Sequence, residues 1–565
     1  MTGQILNIGR YNAAVKERLR SLEEEQFSRR LWRKDPSLWK LDPENQKIIS
    51  NALGWLTVVE KMKKNLDDLR QWVTEVRDAG FRHVVHMGMG GSSLAPLTFQ
   101  RIFPKIQGEL PVTVLDTTDP ATILKIEREI PIRETLFINA SKSGTTAEPL
   151  AFGEYFYAKV NDLKGNRAGE NFVAITDPGT PLVKTAQERG FRRIFPGCED
   201  IGGRYSALSP FGLVPIAMMG INVGELLSRA LRMVRACGPA VPMLENPGIV
   251  LGAVMGELAL RGRDKLTLFM PESIIPFGLW LEQLLAESTG KEGKGILPID
   301  NEPPGIPSNY GEDRLFVSIR LQDEVDEALE HFIRELQQAG QPVITIQMDD
   351  RLDLAPEFFR WEVATAAAGA ILRINPFDQP NVQESKDNTN RLLDRVRQDG
   401  KLPEVTATLK EGPLSFYTTE KAQNAKDLLK TFLAQARPGD FFALQAYLPE
   451  GPPITQALQT MRKHLRDRLG LATTLGYGPR FLHSTGQFHK GGPNTGLFLQ
   501  LTADDAEDAA IPGTSYTFGL FKRAQALGDL EALKKHGRRV IRVHLGADII
   551  HGLEALSQFF KKAGE

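Results

Sequence analysis

This chain is predicted to be an α/β protein whose parallel sheets are flanked by helices, and three features of its sequence support that fold class. Short apolar runs appear from Phe81 onward. Each run is followed by a loop rich in Gly, Ser, Thr or Asp, and each loop leads into an amphipathic helical segment. Alternating strand, loop and helix is typical of parallel sheets covered on both faces. Ligands of such sheets bind at the carboxyl ends of the strands.

The order of these elements suggests four regions. The first is predicted to be helical, because apolar residues recur at helical spacing from Val59 to Val73. The second and third each show the strand–loop–helix alternation, and the fourth is an additional C-terminal α/β region. The four regions are 1–75, 76–244, 245–402 and 403–565.

Eleven apolar runs are predicted to be strands. A link into the fourth region is placed at 403–415, and a turn-rich loop is predicted at 474–494. The predicted strands are 83–87, 112–116, 135–140, 172–176, 192–196, 265–270, 314–321, 342–348, 441–448, 497–502 and 540–546.

Length and composition narrow the class of protein. The 565 residues exceed what one ordinary core uses, so two or three domains are expected. The hydrophobic fraction of 41% and the charged fraction of 25% are typical of a soluble globular protein. A net charge of −1 provides no broad field for nucleic acid or an anionic membrane, so neither is expected as a partner. The two cysteines suit a reducing compartment, no signal peptide or membrane span is recognisable, and a cytoplasmic protein is predicted.

A glycine-rich loop, GMGGSS at 88–93, lies between a predicted strand and a helix. Glycines let backbone N–H groups approach a ligand, and a helix N-terminus favours an anion, so a sugar or phosphate could bind here. A tight turn capped by Ser93 explains the loop equally well. A dinucleotide site is a further alternative, because Gly88 and Gly90 fit its fingerprint and Asp116 ends the next strand.

The loop SKSGTT, residues 141–146, directly follows a predicted strand. It places four hydroxyls and one lysine in six residues, and Glu148 and Pro149 suit the first turn of a following helix. A monophosphate is recognised by several short charge-assisted hydrogen bonds, which this set can supply. Because helix capping would explain one or two hydroxyls but not four, phosphate binding is the favoured interpretation. The spacing of a nucleoside-triphosphate loop is absent.

A candidate general base lies in LEQLLAESTGKEGKG, residues 281–295, which is predicted to begin as a helix. Glu287 follows Gln283 by four residues, so the two side chains share one face. The helix dipole disfavours a carboxylate at this end, which suits a group that must accept a proton. On these residues alone, a solvated helix end paired with Lys291 or Lys294 is the simpler explanation.

Three further segments are ambiguous on their own. In GGRYSALSPFG, Arg204 follows two glycines and could be an ordinary surface arginine. In NPFDQPNVQESK, residues 375–386, two prolines are typical of a turn before a polar helix. In LHSTGQFHKGGPNTG, residues 482–496, the spacing of His483 and His489 matches no helical pair of metal ligands. Acid–base chemistry by a loop histidine is therefore favoured over a metal site.

Together these segments resemble the phosphoglucose isomerase family, whose fold is the sugar-isomerase (SIS) fold. GMGGSS, SKSGTT, GGRYSALS, ESTGK and NPFDQPNVQESK are similar to family signatures and occur in the family's order between about residues 80 and 390. The chain looks most like the isomerase part of bifunctional transaldolase/phosphoglucose isomerase proteins, without a transaldolase segment. The resemblance implies SIS domains at 76–244 and 245–402. It also implies an enzyme of glycolysis and gluconeogenesis that interconverts glucose 6-phosphate and fructose 6-phosphate through an enediolate.

The resemblance further implies a substrate-binding role for eight residues. The first two below match the loop that contacts the sugar, the next four match a phosphate clamp, and the glutamines match two family glutamines. These positions are Gly91, Ser92, Ser141, Lys142, Ser143, Thr146, Gln283 and Gln379.

Four residues match catalytic positions of the family. Glu287 corresponds to the base that moves a proton between C1 and C2, and Arg204 corresponds to an arginine near the reacting carbons. Lys386 corresponds to a lysine linked to ring opening. The histidine departs from the family pattern, in which its loop precedes the FDQP segment. Here a string similar to that loop, LHS-x-GQ, appears after FDQP instead, so the role is assigned to His483.

The family implies neither a metal nor an organic cofactor, and a small sugar phosphate as substrate. A homodimer is compatible with the resemblance, because the family's histidine often reaches the partner subunit's site, and so is a functional link to a transaldolase. Two alternatives remain. One is a phosphoglucose/phosphomannose isomerase with the same chemistry. The other is a SIS-type sensor without turnover, which would not need Glu287, Lys386 and a histidine together.

Overall fold

Parallel sheets covered by helices make up this computed structural model, which describes residues 3–403 and 405–563. Within those residues there are two five-stranded sheets and one six-stranded sheet. The predicted α/β fold class is therefore confirmed. The division of the chain at residues 75, 244 and 402 remains a prediction.

The N-terminal region is helical except for its first element. The strand β1 was not expected, because four residues are too short for a recognisable pattern. It pairs antiparallel with the strand Val343–Met348 and so becomes the edge of a sheet formed much later in the chain. The elements are β1 (Gln4–Asn7), α1 (Asn12–Glu24), α2 (Phe27–Trp32), α3 (Pro43–Ser50), α4 (Trp55–Lys64) and α5 (Leu66–Asp78).

The first five-stranded sheet has the order β3-β2-β4-β5-β6, with every neighbouring pair parallel. Because β2 and β4 are neighbours, the GMGGSS and SKSGTT loops that follow them lie side by side at one edge. The elements are β2 (His83–Met87), α6 (Leu94–Ile102), β3 (Val112–Leu115), α7 (Pro120–Glu129), β4 (Thr135–Ala140), α8 (Ala147–Lys164), β5 (Phe172–Thr176), α9 (Pro181–Glu188), β6 (Arg193–Pro196), α10 (Pro210–Met218) and α11 (Val223–Ala236).

The second sheet has the order β1-β10-β9-β7-β8, and its strands are parallel except for β1. Its helix α15 is buried along nearly its whole length and packs against α11, α12 and α13 in the main hydrophobic core. The elements are α12 (Pro247–Leu260), β7 (Lys265–Phe269), α13 (Phe277–Thr289), β8 (Leu297–Ile299), β9 (Arg314–Leu321), α14 (Glu327–Gln338), β10 (Val343–Met348), α15 (Leu354–Leu372) and α16 (Pro380–Asp399).

The third sheet has the order β11-β12-β16-β15-β13-β14, with β13 to β16 parallel and a hairpin at one edge. The elements are β11 (Leu409–Glu411), β12 (Leu414–Tyr417), α17 (Ala425–Leu433), β13 (Phe441–Tyr447), α18 (Pro452–Leu469), β14 (Ala472–Tyr477), α19 (Gly486–Gly491), β15 (Gly496–Thr502), α20 (Phe518–Lys535), β16 (Arg539–His544) and α21 (Ile549–Lys562).

Two expectations for this third region were wrong. The predicted link at 403–415 contains β11 and the start of β12, with Gly412 at φ +58° between them, while its Glu404 lies outside the described residues. The predicted loop at 474–494 contains the end of β14 and the short helix α19. In both places Gly and Pro residues made the sequence look like a loop. The strands and the helix form there because neighbouring elements pack against them.

The third region packs on both earlier sheets. Phe518 of α20 stacks on Phe152 of α8, with ring centroids 6.0 Å apart. Phe488 of α19 shares a hydrophobic cluster with Ala286 of α13 and Leu297 of β8. These contacts bring the histidine-containing loop of the third region onto the first two. None of the helices in the described ranges is long and apolar enough to cross a membrane.

Candidate active site

A buried trio forms at the C-terminal end of α13. Gln283 Nε2 donates a hydrogen bond to Glu287 Oε2 over 2.9 Å, as their helical spacing predicts. Arg204 Nη1 lies 3.3 Å from Glu287 Oε1, and both side chains are almost fully buried. The arginine is therefore not a surface residue, and the glutamate is not a solvated helix end. The arrangement holds a carboxylate and a guanidinium together in an environment that strengthens their interaction.

Arg204 is held in one orientation by the segment that contains the FDQP motif. Its Nη2 donates to the backbone carbonyl oxygens of Pro376 and Asp378, over 2.7 and 2.8 Å. Its Nη1 donates to Gln379 Oε1 over 2.9 Å, and its Nε donates to Ser288 Oγ over 2.7 Å. The structure thus brings Arg204, Glu287 and Gln379 together from three distant parts of the chain.

The lysines that could have paired with Glu287 are used elsewhere. Lys291 Nζ donates to the backbone oxygen of Asn375 over 2.6 Å and also contacts Asp378. Lys294 Nζ donates to the backbone oxygen of Leu372 over 3.0 Å. Burial lowers the pKa of Lys291 to about 7, with a further contribution from the charge of Arg204. The hydrogen bonds of Lys291 therefore hold the loop around Arg204, and its direct ion pair is with Asp378.

The glycines of the GMGGSS loop allow two close approaches. A Cβ on Gly91 would lie 2.1 Å from the carbonyl oxygen of Gly203, so the loop packs directly on the turn before Arg204. Gly90 has φ +52°, and a Cβ there would meet Gln283 Nε2 at 2.9 Å and His483 Cβ at 3.0 Å. Any side chain at either position would therefore push the two segments apart. Ser92 is buried beside them, and its backbone oxygen accepts a hydrogen bond from His86.

The SKSGTT loop leads into the N-terminus of α8, and its hydroxyls bond to one another. Ser141 Oγ donates to Thr146 Oγ1 over 3.2 Å, and Ser143 Oγ lies 2.9 Å from Thr145 Oγ1. Lys142 points elsewhere, because its ammonium pairs with Asp177 and donates to the backbone oxygen of Cys198 over 3.0 Å. The loop therefore offers hydroxyls and a helix N-terminus to an anion, and a role for Lys142 in binding phosphate stays a prediction.

His483 lies at the same site, although it comes from the third region of the chain. It ends a 3-10 turn, Arg480–His483, and its backbone oxygen accepts a hydrogen bond from Gln283 over 2.8 Å. Its Nε2 lies 2.8 Å from Glu148 Oε1. One glutamine thus connects the histidine loop to Glu287.

Glu148 is a residue of this site that the sequence did not reveal. Burial would raise the pKa of this carboxyl, but His483, the backbone N–H of Glu148 and the charge of Lys386 hold the pKa below its ordinary value. Glu148 is therefore a carboxylate that accepts a hydrogen bond from the imidazole, so the proton of a neutral ring lies on Nε2. Its only sequence signal was its place in the first turn of a helix after SKSGTT, 335 residues from the histidine.

A small cavity joins the clamp loop, the lysine and the histidine. Its volume is about 80 Å³, and Thr146, Lys386 and His483 are among its lining residues. Lys386 lies on α16, six residues after Pro380, because the FDQP turn sets the start of that helix. Glu287 does not line this cavity and is connected to it through Gln283.

The dinucleotide alternative conflicts with the position of Asp116. This buried carboxylate forms a two-pronged ion pair with Arg480, over 2.6 and 2.8 Å. A ribose would have to displace that arginine. Because Arg480 belongs to the same turn as His483, the ion pair instead positions the histidine loop at the end of β3.

The metal alternative required His483 and His489 to share an ion, but they have different surroundings. His489 is buried in the third region, with Nδ1 3.2 Å from Gln445 Nε2. Burial and the charges of Lys490 and Arg538 lower its pKa well below the ordinary value. Among residues 3–403 and 405–563, no group of three or more His, Cys, Asp or Glu side chains is arranged to hold a metal ion.

Glu282, from a different face of α13, contacts the residue next to the histidine. Its Oε1 accepts a hydrogen bond from Ser484 Oγ over 3.0 Å. Burial, together with the negative charge of Asp300, raises the pKa of Glu282 to about 7. Burial also raises the pKa of Asp300 to about 7. Glu282 therefore combines a raised pKa with a direct hydrogen bond to the histidine loop.

We expect Glu282→Gln to stabilise the protein above neutral pH. The folded-state pKa is raised, so the stability associated with the protonated acid is present below about 4.5 and is lost as pH rises through about 7. A neutral glutamine avoids that loss, and its gain in unfolding free energy should be about 2 kcal/mol larger at pH 8 than at pH 5. Thermal unfolding at both values measures it, with the exposed Glu60→Gln as the control. An equal effect at both values would contradict the prediction.

Comparison with known proteins gives matches to phosphoglucose isomerases. A family model described as phosphoglucose isomerase matches residues 43–296, a range that includes Arg204 and Glu287 but not Lys386 or His483. A glucose-6-phosphate isomerase of Rubrobacter xylanophilus is 30% identical over 387 residues, covering 59% of this chain and 88% of its own. A glucose-6-phosphate isomerase of Parabacteroides distasonis is 30% identical over 311 residues, covering 48% of this chain and 69% of its own.

A solved structure supports the fold in the same way. The crystal structure of a hypothetical protein from Thermus thermophilus superposes with a TM-score of 0.59. It is 24% identical in sequence and covers 69% of this chain and 99% of its own. At that identity the likeness concerns the arrangement of the chain.

Proposed function

Because this chain belongs to the phosphoglucose isomerase family, we propose that it interconverts D-glucose 6-phosphate and D-fructose 6-phosphate by proton transfer through an enediolate. One observation carries the proposal. Gln283 Nε2 donates to Glu287 over 2.9 Å and to the backbone oxygen of His483 over 2.8 Å, which joins a candidate base to a candidate ring-opening histidine. A phosphosugar sensor would need no such connection.

The phosphate of the substrate is bound by the SKSGTT loop in this proposal. The hydroxyls of Ser141, Ser143 and Thr146 exchange their mutual hydrogen bonds for bonds to phosphate oxygens, and the N-terminus of α8 adds its dipole. This binding lies away from the reacting carbons. It therefore fixes the position of C1 and C2 instead of changing their chemistry.

Ring opening is assigned to His483 with Lys386. The imidazole donates from Nε2 to Glu148, which leaves Nδ1 to exchange a proton with the sugar. The proton leaves the anomeric hydroxyl and is returned to the ring oxygen as the C–O bond breaks. Lys386 lines the same cavity and supplies positive charge near the histidine.

Isomerisation of the open chain is assigned to Glu287 and Arg204. Glu287 removes the proton from C2 and returns it to C1, while a proton moves between the two oxygens. The intermediate has negative charge on oxygen, and a fixed guanidinium in a buried site stabilises such charge more than water does. Arg204 is oriented by four hydrogen bonds, so it does not have to reorganise during the reaction.

We expect the purified protein to convert fructose 6-phosphate to glucose 6-phosphate with unchanged rate after treatment with a chelator. A coupled assay that oxidises the product glucose 6-phosphate measures the rate, and mannose 6-phosphate serves as a second substrate. No turnover of either sugar would contradict the isomerase and favour a sensor. Loss of activity on chelation that returns with a divalent metal would revive the metal-dependent alternative.

Cellular context is part of the same proposal. We place the enzyme in the cytoplasm, because its two cysteines, Cys198 and Cys237, are both free and buried, which suits a reducing compartment. The substrate partner is a sugar phosphate. A homodimer and a functional link to a transaldolase stay predictions. In this proposal His483 acts in the site of its own chain, beside Glu148 and Gln283.

A further inference from the structure

We propose that Gln525 is a positioning residue that holds the Glu148 carboxylate in place for His483. The inference rests on the proposed function, because it concerns the histidine–glutamate pair of that site. Gln525 lies on α20 in the third region, whereas Glu148 lies on α8 in the first. It therefore acts across the interface between the two.

The hydrogen bonds of Gln525 leave it a single orientation. Its Nε2 donates to Glu148 Oε1 over 2.7 Å, and its Oε1 accepts from Thr118 Oγ1 over 2.7 Å. The reversed amide would place an oxygen against a carboxylate, which has no proton to donate. Both groups and the threonine are buried, so water cannot replace either bond without cost.

Gln525 and His483 bind the same oxygen of Glu148. His483 Nε2 approaches Oε1 at 2.8 Å, and Gln525 Nε2 approaches it at 2.7 Å. Two donors on one oxygen define the direction in which that oxygen points, and hence the plane of the imidazole that it holds. A carboxylate can orient an active-site histidine only if the carboxylate is itself held in place.

Buried ion pairs hold the helix that carries Gln525, one turn before this residue and one turn after it. Lys522 Nζ donates to Asp119 Oδ2 over 2.7 Å, and Asp529 Oδ1 accepts from Lys490 Nζ over 2.8 Å. Lys522, Gln525 and Asp529 are three and four residues apart, so they share one face of α20. This face contacts Asp119 after β3, Glu148 in the first turn of α8 and Lys490 of α19, so rigid elements position Gln525.

The test compares Gln525→Met with the native enzyme and with Glu148→Gln. Methionine keeps the unbranched shape but removes the donor. We expect kcat to fall about 10-fold with KM nearly unchanged, because the lost bond is to a charged group that acts in catalysis. In the Glu148→Gln background the same substitution should change kcat less than about 2-fold, because the residue acts through that carboxylate.

The control is Gln500→Met, another buried glutamine, whose Nε2 donates to the backbone oxygen of Ala526 on the same helix over 3.0 Å. It should leave kcat near the native value at the same thermal stability. An equal loss for Gln525→Met in both backgrounds would overturn the proposal, as would a loss matched by Gln500→Met.

A crystal structure of Gln525→Met separates this inference from the proposed function. We expect the distance from His483 Nε2 to Glu148 Oε1 to lengthen beyond 3.5 Å or the imidazole to rotate, whatever substrate the enzyme uses. An unchanged pair would overturn the positioning role even if the isomerase activity holds. An inactive native enzyme with a displaced pair in the variant would instead refute the proposed function alone.

Discussion

Replacing Glu287 by glutamine should lower kcat by about 10³-fold while KM changes little. The amide keeps the shape of the side chain, and its one oxygen can still accept a hydrogen bond from Gln283 or face Arg204, so binding and folding should persist. It cannot accept a proton from carbon. Steady-state kinetics with fructose 6-phosphate measures the change, and the exchange of the C1 and C2 hydrogens with deuterated water should stop together with turnover.

The matched control is Glu292→Gln, five residues further along the chain. That carboxylate pairs with Lys40 near the surface and is not near Arg204 in the described contacts. It should keep kcat within about 2-fold of the native value. If Glu287→Gln retained near-native kcat and hydrogen exchange, the base would have to be a different residue.

Replacing His483 by glutamine should lower kcat/KM by about 10²-fold or more, because the ring-opening proton transfer loses its acid–base group. Glutamine cannot carry the proton between the hydroxyl and the ring oxygen, although it can still donate to Glu148. The control is His331→Gln, an exposed histidine on α14 that should have no effect. A native rate for His483→Gln would contradict the assignment of this histidine from the third region.

Mixing the two inactive variants distinguishes a site built by one chain from a site shared by two. The structure brings His483 and Glu287 together within one chain through Gln283. A mixture of Glu287→Gln and His483→Gln subunits should therefore recover no activity at any ratio or concentration. If the histidine instead reached a partner's site, mixed dimers would contain one intact site and activity would return.

The fold class could be predicted from the sequence because each strand of a covered parallel sheet is a continuous apolar run. All eleven runs coincide with strands to within one residue at their starts, from His83–Met87 to Gly496–Thr502 and Arg539–His544. The same reasoning missed the hairpin around Gly412 and the strand β14, whose residues are typical of turns. Short edge strands are stabilised by their neighbours, so their own composition carries little signal.

The local chemistry of the site was also contained in the sequence. The spacing of Gln283 and Glu287 determines that they share a helix face, and the SKSGTT hydroxyls are adjacent along the chain. The resemblance added Arg204, Gln379 and Lys386, whose segments meet around Pro376 and Asp378. Their individual patterns were as consistent with a surface arginine and a simple turn.

Only the tertiary structure decided which partners these residues have. It directed Lys142 to Asp177, gave Glu287 an arginine instead of a lysine, and brought Glu148 to His483 and Gln525 to Glu148. Some of these contacts join residues that are far apart in the chain. In the others, several partners were available to one residue. The amino-acid sequence therefore determined the sheets, the helix faces and the reactive groups of this protein. Which groups meet is decided by how the three sheets pack, because burial selects among partners that local spacing leaves equivalent.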